Sequence, residues 1–470
     1  MRYLFLCMLP LALCSGCGSD SEKNDRAESA PIPLALPSPA PAEKTSAAEP
    51  VQAEQSEGYS PAIRALLLRA RTAVTEGRHA GAIEALSQAI GFTPEDARLF
   101  RMRADVYSLL GENANARADF STAIRLADNN ADLYNARGYF LMTQGIPAEA
   151  RTDFDSAIER NPRHPAALNN RGLLHLAAGQ LEESISDFSL AIEAQADFME
   201  AWNNRSYARL KLEQLDDAMS DVRQAIRIRD DYPTAWNNCG LIAMEQQNYA
   251  EAARAFTRAI ELSPLEIRLL QHRREAYLRL EQFREAHADR DRINWLQQLQ
   301  QFTELTSRSR TSPDAWISRG EHLFLGREFG AAVQDFTRAI LLQPKNQQAL
   351  TLRAQAWQAM GDREKAMLDC NQALSSGDYQ PASSLRGDLY LAADQPEQAL
   401  ADYEAAGRFD ESVAEAHDLL AKTQLTAGDT AAAADSRRQA ADIREALTRS
   451  LSPPENPPAA DDAGFAPLRE

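Results

Sequence analysis

Hydrophobic residues recur through most of this chain at the spacing of an α-helix, in short stretches that come in pairs. In residues 165–198, Leu168 and Leu176 mark the buried side of a first stretch, and Ile185 and Phe188 mark a second. Residues three, four, seven or eight positions apart lie on one face of a helix, so each stretch predicts an amphipathic helix. The pattern therefore predicts an all-α fold built from helix pairs.

Two glycines support this helix pairing. Gly172 stands where the two helices of the pair would cross closely, and a larger side chain there would hold them apart. Gly179 stands just past the first helix, where a left-handed backbone conformation is unstrained only for glycine. We expect a close crossing at Gly172 and a tight turn at Gly179.

The helix pairs repeat with a nearly fixed period. One slot in the second helix recurs every 34 residues, apart from one step of 46 and one of 33. The slot is filled by Ala82, Ala116, Ala150, Ser184, Ala218, Ala252, Ala286, Ala332, Ala366, Ala399 and Ala433. A fixed period of roughly 20 to 50 residues indicates a solenoid, in which each repeat packs only on its neighbours. We therefore predict an α-solenoid of about eleven repeats.

Several repeats share further residue types: an aromatic residue, a glycine four positions later, and then alanine, phenylalanine, alanine and proline. The series is Tyr134, Gly138, Ala150, Phe154, Ala157 and Pro162 in repeat three, Trp236, Gly240, Ala252, Phe256, Ala259 and Pro264 in repeat six, and Trp316, Gly320, Ala332, Phe336, Ala339 and Pro344 in repeat eight. Over residues 63–447 the array resembles the tetratricopeptide repeat family. The resemblance implies a right-handed superhelix whose first helices line the concave wall.

We predict six segments along the chain. They are a signal segment (1–17), a disordered Pro- and Ala-rich tether (18–60), repeats one to seven (61–292), an insert (293–312), repeats eight to eleven (313–447) and a disordered tail (448–470). Prolines in the tether and tail remove backbone hydrogen-bond donors, and neither segment keeps a helical period.

The insert accounts for the long step between two repeats. Trp295, Leu299 and Phe302 share one helical stripe, which predicts either an elongated second helix or an added helix before a short loop. We expect the insert to separate repeats one to seven from repeats eight to eleven, as a hinge or as a rigid element.

The N-terminus has the features of an export signal. Arg2 is followed by an apolar run from Tyr3 to Leu13, which is too short to span a bilayer as a helix. The stretch from Leu13 to Cys17, which contains the small residues Ser15 and Gly16, resembles a bacterial lipoprotein signal. This resemblance implies lipidation of Cys17. The alternative is an ordinary secretory signal that is cleaved nearby. Either interpretation predicts an exported protein, and lipidation would anchor it to a membrane of the cell envelope, facing the periplasm or the exterior.

Composition and motifs exclude several classes of function. The 470 residues carry a formal net charge of −18, which disfavours binding to nucleic acid. Sequence motifs for nucleotide binding, zinc proteolysis and serine hydrolysis are missing, and the seven histidines are scattered. Once the repeats are assigned, almost no sequence remains for a catalytic domain. We predict no catalytic residues, no metal, no cofactor and no small-molecule substrate.

Polar residues in the first helices give the strongest functional signal. One row of asparagines runs through repeats three to six and a second row through repeats four to six, both at the 34-residue period, with aromatic residues nearby. The candidate peptide-binding residues are Asn135, Asn169, Asn170, Asn203, Asn204, Asn237, Asn238, Tyr139 and Tyr207. Asparagine both donates and accepts hydrogen bonds, so such a ladder matches the backbone of an extended peptide. The alternative is that these amides bond neighbouring helices within the array.

Arginines follow the asparagines with the same period. Arg137, Arg171 and Arg205 would either clamp carboxylates of a peptide or pair with Asp153, Asp187 and Asp221 of the second helices. We favour the pairing.

We predict a protein-interaction scaffold at the bacterial cell envelope that binds extended peptides on its concave surface. The second row of asparagines resembles the ladder in the repeat arm of the O-linked N-acetylglucosamine transferases. A substrate-recruiting arm of that kind and a purely structural spacer are therefore the alternatives.

Overall fold

The computed structural model describes residues 59–451, which form 22 α-helices and no β-strand. The predicted signal segment, nearly all of the tether and most of the tail lie outside the described residues. The described helices fall into two compact units that meet in sequence between Pro264 and Leu265. Each unit consists of consecutive helix pairs, so the predicted all-α fold of about eleven helix-turn-helix repeats is confirmed.

The first unit contains six helix pairs, which are repeats one to six. Their bounds are α1 Pro61–Thr75, α2 His79–Phe92, α3 Ala97–Leu109, α4 Asn113–Leu126, α5 Ala131–Thr143, α6 Pro147–Arg160, α7 Pro165–Ala177, α8 Leu181–Ala194, α9 Met199–Lys211, α10 Leu215–Ile228, α11 Pro233–Glu245 and α12 Tyr249–Leu262. The first helix begins where the predicted tether ends, because Ser60 caps it by accepting a hydrogen bond from the Ile63 amide and Pro61 occupies its first turn.

The second unit contains five helix pairs, which are repeats seven to eleven. Their bounds are α13 Ile267–Arg279, α14 Phe283–Arg308, α15 Pro313–Leu325, α16 Phe329–Leu342, α17 Gln347–Ala359, α18 Arg363–Leu374, α19 Gln380–Leu391, α20 Pro396–Ala405, α21 Glu411–Thr426 and α22 Thr430–Leu451. The last helix continues through Leu451, a few residues beyond the predicted start of the tail at residue 448.

The periodic small residues lie where the two helices of each repeat pack together. All eleven, from Ala82 to Ala433, have an exposed fraction of 0%. A larger side chain in this slot would push the paired helices apart, because protein interiors are close-packed. The requirement for close approach explains why this slot shows the period most clearly.

A second close contact lies at the glycine of the first helix. A Cβ atom added to Gly172 would lie 2.7 Å from Cε1 of Phe188 in the partner helix, which is too close for an unshifted ring. The same arrangement pairs Gly138, Gly240 and Gly320 with phenylalanines and Gly387 with a tyrosine. The expected close crossing is present, and Gly179 adopts the expected left-handed conformation with a φ of +74°.

The long step in the period corresponds to a single elongated helix. Helix α14 has 26 residues, whereas the second helix of repeat six has 14. Its extension packs on repeat eight: the Trp295 ring stacks on His322 at a centroid distance of 5.0 Å, and Phe302 lies 5.3 Å from the same imidazole. His322 Nε2 also lies 2.9 Å from the backbone oxygen of Trp295.

These contacts tie repeat seven to repeat eight within the second unit. Repeats seven and eight both belong to this unit, which begins at Leu265. The sequence signal locates extra residues, but the packing of those residues decides which repeats they join.

Candidate functional site

The periodic arginines pair with aspartates of the second helices. In eight repeats an arginine of the first helix binds both oxygens of an aspartate 16 residues later, as in Arg205 with Asp221, where the two N–O distances are 2.8 and 2.7 Å. The other pairs are Arg103–Asp119, Arg137–Asp153, Arg171–Asp187, Arg273–Asp289, Arg319–Asp335, Arg353–Asp369 and Arg386–Asp402. The aspartates are buried. The favoured interpretation, structural pairing, is therefore confirmed for Asp153, Asp187 and Asp221.

The remaining nitrogen of several of these arginines reaches the preceding repeat. Nη1 of Arg205 donates to Ser189 Oγ at 2.9 Å, and Nη1 of Arg171 donates to Asp155 Oδ1 at 2.9 Å. Each acceptor lies 16 residues before its arginine, in the second helix of the previous repeat. One guanidinium thus connects three helices, and bonding to two carboxylates raises the pKa of Arg171 above its usual range. These arginines serve the packing of the array and are not free to clamp a peptide.

Repeat six lacks this ion pair altogether. Cys239 takes the arginine position and Ala255 the aspartate position, and both residues are buried. Burial raises the pKa of the Cys239 thiol to about 11, so the thiol stays neutral, and its Sγ atom lies 4.0 Å from Met219 Sδ. Both charges are replaced together by small apolar groups, which leaves no uncompensated buried charge.

The asparagine rows form hydrogen bonds between successive first helices. Nδ2 of Asn170 donates to Oδ1 of Asn135 at 3.0 Å, and Nδ2 of Asn204 donates to Oδ1 of Asn169 at 3.0 Å. The third bond runs from Asn238 Nδ2 to Asn203 Oδ1 at 2.9 Å. Each bond spans 35 residues, from the second asparagine of one repeat to the first asparagine of the preceding repeat. The amides link neighbouring helices, which is the alternative that the sequence leaves open.

The candidate residues differ in how far they reach the surface. Five of the asparagines are buried, with exposed fractions between 2% and 6%: Asn169, Asn170, Asn203, Asn237 and Asn238. The other four candidates, Asn135, Asn204, Tyr139 and Tyr207, are partly exposed. Only these four are placed where an unshifted side chain could contact a ligand directly. The spacing of the rows predicts a ladder but does not show which side of the helix each amide faces.

The first helices of unit one form its inner face. Successive first helices contact each other, α3 with α5, α5 with α7, α7 with α9 and α9 with α11, whereas successive second helices of this unit show no contact of similar extent. The more closely spaced layer of a curved stack lies on its inside, so the first helices line the concave side. Burial in this wall raises the pKa of the Tyr139 hydroxyl to about 12, which keeps it a neutral donor and acceptor.

The family comparison agrees with this geometry. Three protein-family sequence models, each described as a tetratricopeptide repeat, match the chain at residues 67–131, 101–157, 135–198, 200–232 and 233–265. The matched stretches coincide with the helix pairs of unit one, from within α1 to just past α12. The chain is a tetratricopeptide repeat protein.

A curated protein that matches a short part of the chain is the outer dynein arm-docking complex subunit 4 of Mus musculus, which is 35% identical over 65 residues. The match covers 14% of this tetratricopeptide repeat protein and about a tenth of the mouse protein's length.

Several solved structures resemble parts of this tetratricopeptide repeat protein. PilW, a type IV pilus biogenesis factor, is 20% identical, with a TM-score of 0.40, and the match covers 45% of this chain and 99% of PilW. PilF of Pseudomonas aeruginosa is 16% identical over 42% of this chain and 89% of its own, with a TM-score of 0.39. YrrB, described as a repeat protein with an unusual peptide-binding site, is 22% identical over 40% and 98%, with a TM-score of 0.34.

Membership of the tetratricopeptide repeat family supports a protein-interaction scaffold, since such arrays present extended binding surfaces. Among the described residues, none of the helices is both long enough and apolar enough to cross a membrane.

Proposed function

We propose that this tetratricopeptide repeat protein is a non-catalytic scaffold that binds extended peptide segments of partner proteins along the inner face of repeats three to six. The observation that supports the proposal most strongly is the chain of asparagine bonds between first helices, which fixes a wall with polar and aromatic side chains at its surface. We call this surface the inner wall and define it by Asn135, Asn204, Tyr139 and Tyr207.

The asparagine bonds make the inner wall a preorganised surface. The links at 2.9 to 3.0 Å hold four successive first helices in fixed register. A surface that is already ordered loses less conformational entropy when it binds a flexible peptide. The buried amides therefore contribute to binding indirectly, because they hold the exposed amides in position.

The exposed amides keep hydrogen-bonding capacity for a ligand. A side-chain amide offers two N–H donors and two acceptor lone pairs. In the described part of the chain, the Asn135 amide accepts one bond from Asn170 and donates none. Backbone carbonyls of an extended peptide are suitable acceptors for these N–H groups, whatever the peptide's sequence.

The tyrosines supply the apolar part of the surface. Tyr207 packs its ring beside the buried cluster of Leu173, Leu176 and Phe188 and remains partly exposed. Aromatic rings of this kind contribute large contact areas at low entropy cost, and they accept peptide side chains without selecting one sequence. The inner wall therefore favours sequence-tolerant recognition.

A double variant tests the inner wall. Asn135→Asp keeps the oxygen that accepts the bond from Asn170 but removes both N–H donors, and Tyr207→Ala removes the ring. We expect capture of partner proteins from envelope extracts to fall at least about tenfold, since the loss of one or two polar contacts and one aromatic anchor is of that order.

The matched control is Leu190→Ala, which removes an exposed side chain of a second helix. Circular dichroism should show that the double variant keeps its helix content. Undiminished capture by such a folded variant would show that the inner wall serves only the packing of the array. The chain would then be a structural spacer.

We also propose that the protein is exported and anchored to the cell envelope through a lipid on Cys17, a residue outside the described range. The support is the short apolar run that precedes the small residues before Cys17. Metabolic labelling with an acyl-chain analogue in the native host tests the anchor. The wild-type protein should incorporate label and Cys17→Ala should not, and an unlabelled wild-type protein contradicts the proposal.

A further inference from the structure

A second surface of interest lies in unit two, where the elongated helix forms one wall of a cavity. The cavity has a volume of about 360 Å³. It is lined by Thr303, Thr306, Ser307, Arg310, Trp316, Arg319 and Arg338. We call it the arginine pocket. Thr303, Thr306 and Ser307 belong to the extension of α14. A second helix of ordinary length would therefore leave the pocket open on that side.

One arginine of the pocket is fixed in place. Arg319 binds both oxygens of Asp335, at 2.7 and 2.6 Å, and its Nη1 donates to Thr306 Oγ1 at 3.1 Å. Its guanidinium also lies over the Trp316 ring, 5.0 Å from the ring centre. Asp335 neutralises Arg319, so this pair gives the pocket its shape rather than its charge.

The other two arginines have no acidic partner. Arg310 and Arg338 are exposed, and among the described residues no carboxylate lies within ion-pair distance of either guanidinium. The pocket therefore carries two uncompensated positive charges in a chain whose formal net charge is −18. Such a local excess of positive charge attracts an anionic group.

An internal comparison shows what Arg338 lacks. Repeats six and eight share the segment FTRAI, at residues 256–260 and 336–340. In repeat six, Arg258 pairs with Glu261 one turn further along the helix, at 2.8 Å. The corresponding position in repeat eight holds Leu341, whose exposed fraction is 68%. The same arginine is thus neutralised in one repeat and left available in the other.

The walls of the pocket favour an acceptor ligand with an apolar part. The three hydroxyls of the α14 extension already donate to helix carbonyls, at distances between 2.7 and 2.8 Å. The available donors are therefore the N–H groups of Arg310 and Arg338, which match the two oxygens of a carboxylate. The Trp316 ring and the threonine methyl groups can contact an aliphatic or aromatic group of the ligand that lies next to its carboxylate.

We propose that the arginine pocket binds a carboxylate of an acidic peptide segment in a protein partner, with an apolar residue of the same segment on Trp316. This site lies in unit two and shares no residue with the inner wall. It would give a scaffold with otherwise sequence-tolerant recognition a preference for acidic partners.

Fluorescence anisotropy tests the proposal with the purified full chain carrying Asn135→Asp and Tyr207→Ala, so that the inner wall does not bind the probe. The probe is a fluorescein-labelled hexapeptide of alternating leucine and glutamate, and the comparison peptide carries glutamine in place of glutamate. We expect saturable binding of the acidic probe and at least about tenfold weaker binding of the glutamine peptide, because charge-assisted hydrogen bonds contribute roughly a factor of ten each.

Three variants locate the binding. The double variant Arg310→Gln with Arg338→Gln and the single variant Leu341→Glu, which supplies Arg338 with a partner as in repeat six, should each weaken the acidic probe at least about tenfold. Arg258→Gln changes the matched arginine of repeat six and should leave affinity unchanged. All these arginines are exposed or paired at the surface, so helix content should not change.

Several outcomes would overturn the proposal. Equal affinity for the glutamate and glutamine peptides excludes a carboxylate site, and equal loss in Arg258→Gln shows non-specific attraction by surface charge. Displacement of the probe by an equal concentration of inorganic phosphate would indicate a general oxyanion site instead of a peptide site.

Discussion

Gly172→Ser is expected to destabilise repeat four by about 2 kcal/mol, because the added side chain has no room at the helix crossing. A Cβ atom at this position lies 2.7 and 2.9 Å from two ring carbons of Phe188 and 3.2 Å from Cβ of Asp187. The ring is fully buried, so it cannot move into solvent. Urea denaturation measures the loss, and hydrogen exchange of the α7 and α8 amides locates it in this repeat.

The adjacent repeat indicates a second substitution that should compensate for Gly172→Ser. At the equivalent positions of repeat five, 34 residues later, stand Ser206 and Val222, and both are buried. Phe188→Val alone should cost about 2 kcal/mol through the cavity that it leaves. In the double variant Gly172→Ser with Phe188→Val the two changes compensate, so the total loss should be smaller than the sum by about 1 kcal/mol. Additive losses would mean that the crossing is not set by the fit between these two side chains.

Asp153→Ala is expected to destabilise repeat three by about 2 kcal/mol, because it leaves Arg137 without its carboxylate. The Asp153 side chain is 4% exposed and accepts two bonds from Arg137, at 2.8 and 2.7 Å. The arginine side chain is 24% exposed, so water partly replaces the lost partner and the cost stays below that of a fully buried charge. Thermal denaturation followed by circular dichroism measures the change.

Removal of both charges should be much less costly. The double variant Arg137→Cys with Asp153→Ala copies Cys239 and Ala255 of repeat six, where the array already lacks the ion pair. We expect it to lie within about 1 kcal/mol of the wild type, because no buried charge remains unpaired. A double variant as unstable as Asp153→Ala would show that the third bond of the arginine, to Ser121, matters more than the ion pair.

The helix pairs and the arginine pairs were predictable because each follows from distances along the chain. The slot from Ala82 to Ala433 repeats since two backbones approach each other there in every repeat. The pairing of Arg137 with Asp153 spans 16 residues and recurs in neighbouring repeats, which brings the same two helix positions together each time.

The role of the asparagines was not predictable in the same way. Their rows repeat every 34 residues, but their hydrogen bonds span 35, from Asn204 to Asn169 for example. Whether an amide faces a ligand or the next repeat depends on the rotation between successive first helices, and a period of residue types contains no information about that rotation. An offset of one residue between two adjacent rows was the available signal.

The long helix and its pocket also required the structure. The sequence located extra residues after repeat seven and a stripe containing Trp295, but either an extension or a separate helix fits that pattern. The stacking of Trp295 on His322 and the unpaired charge of Arg338 both depend on side chains that are distant in sequence. Only the packing of α14 on repeat eight brings them together.

The most direct test of the peptide-binding claim is site-specific photo-crosslinking in the native host. Benzoylphenylalanine is placed at Tyr207 on the inner wall or at Leu190, an exposed side chain of the second helix of repeat four. If partners lie along the inner wall, position 207 should yield crosslinked partner peptides and position 190 should yield few or none. Crosslinks at position 190 without any at position 207 would contradict the account.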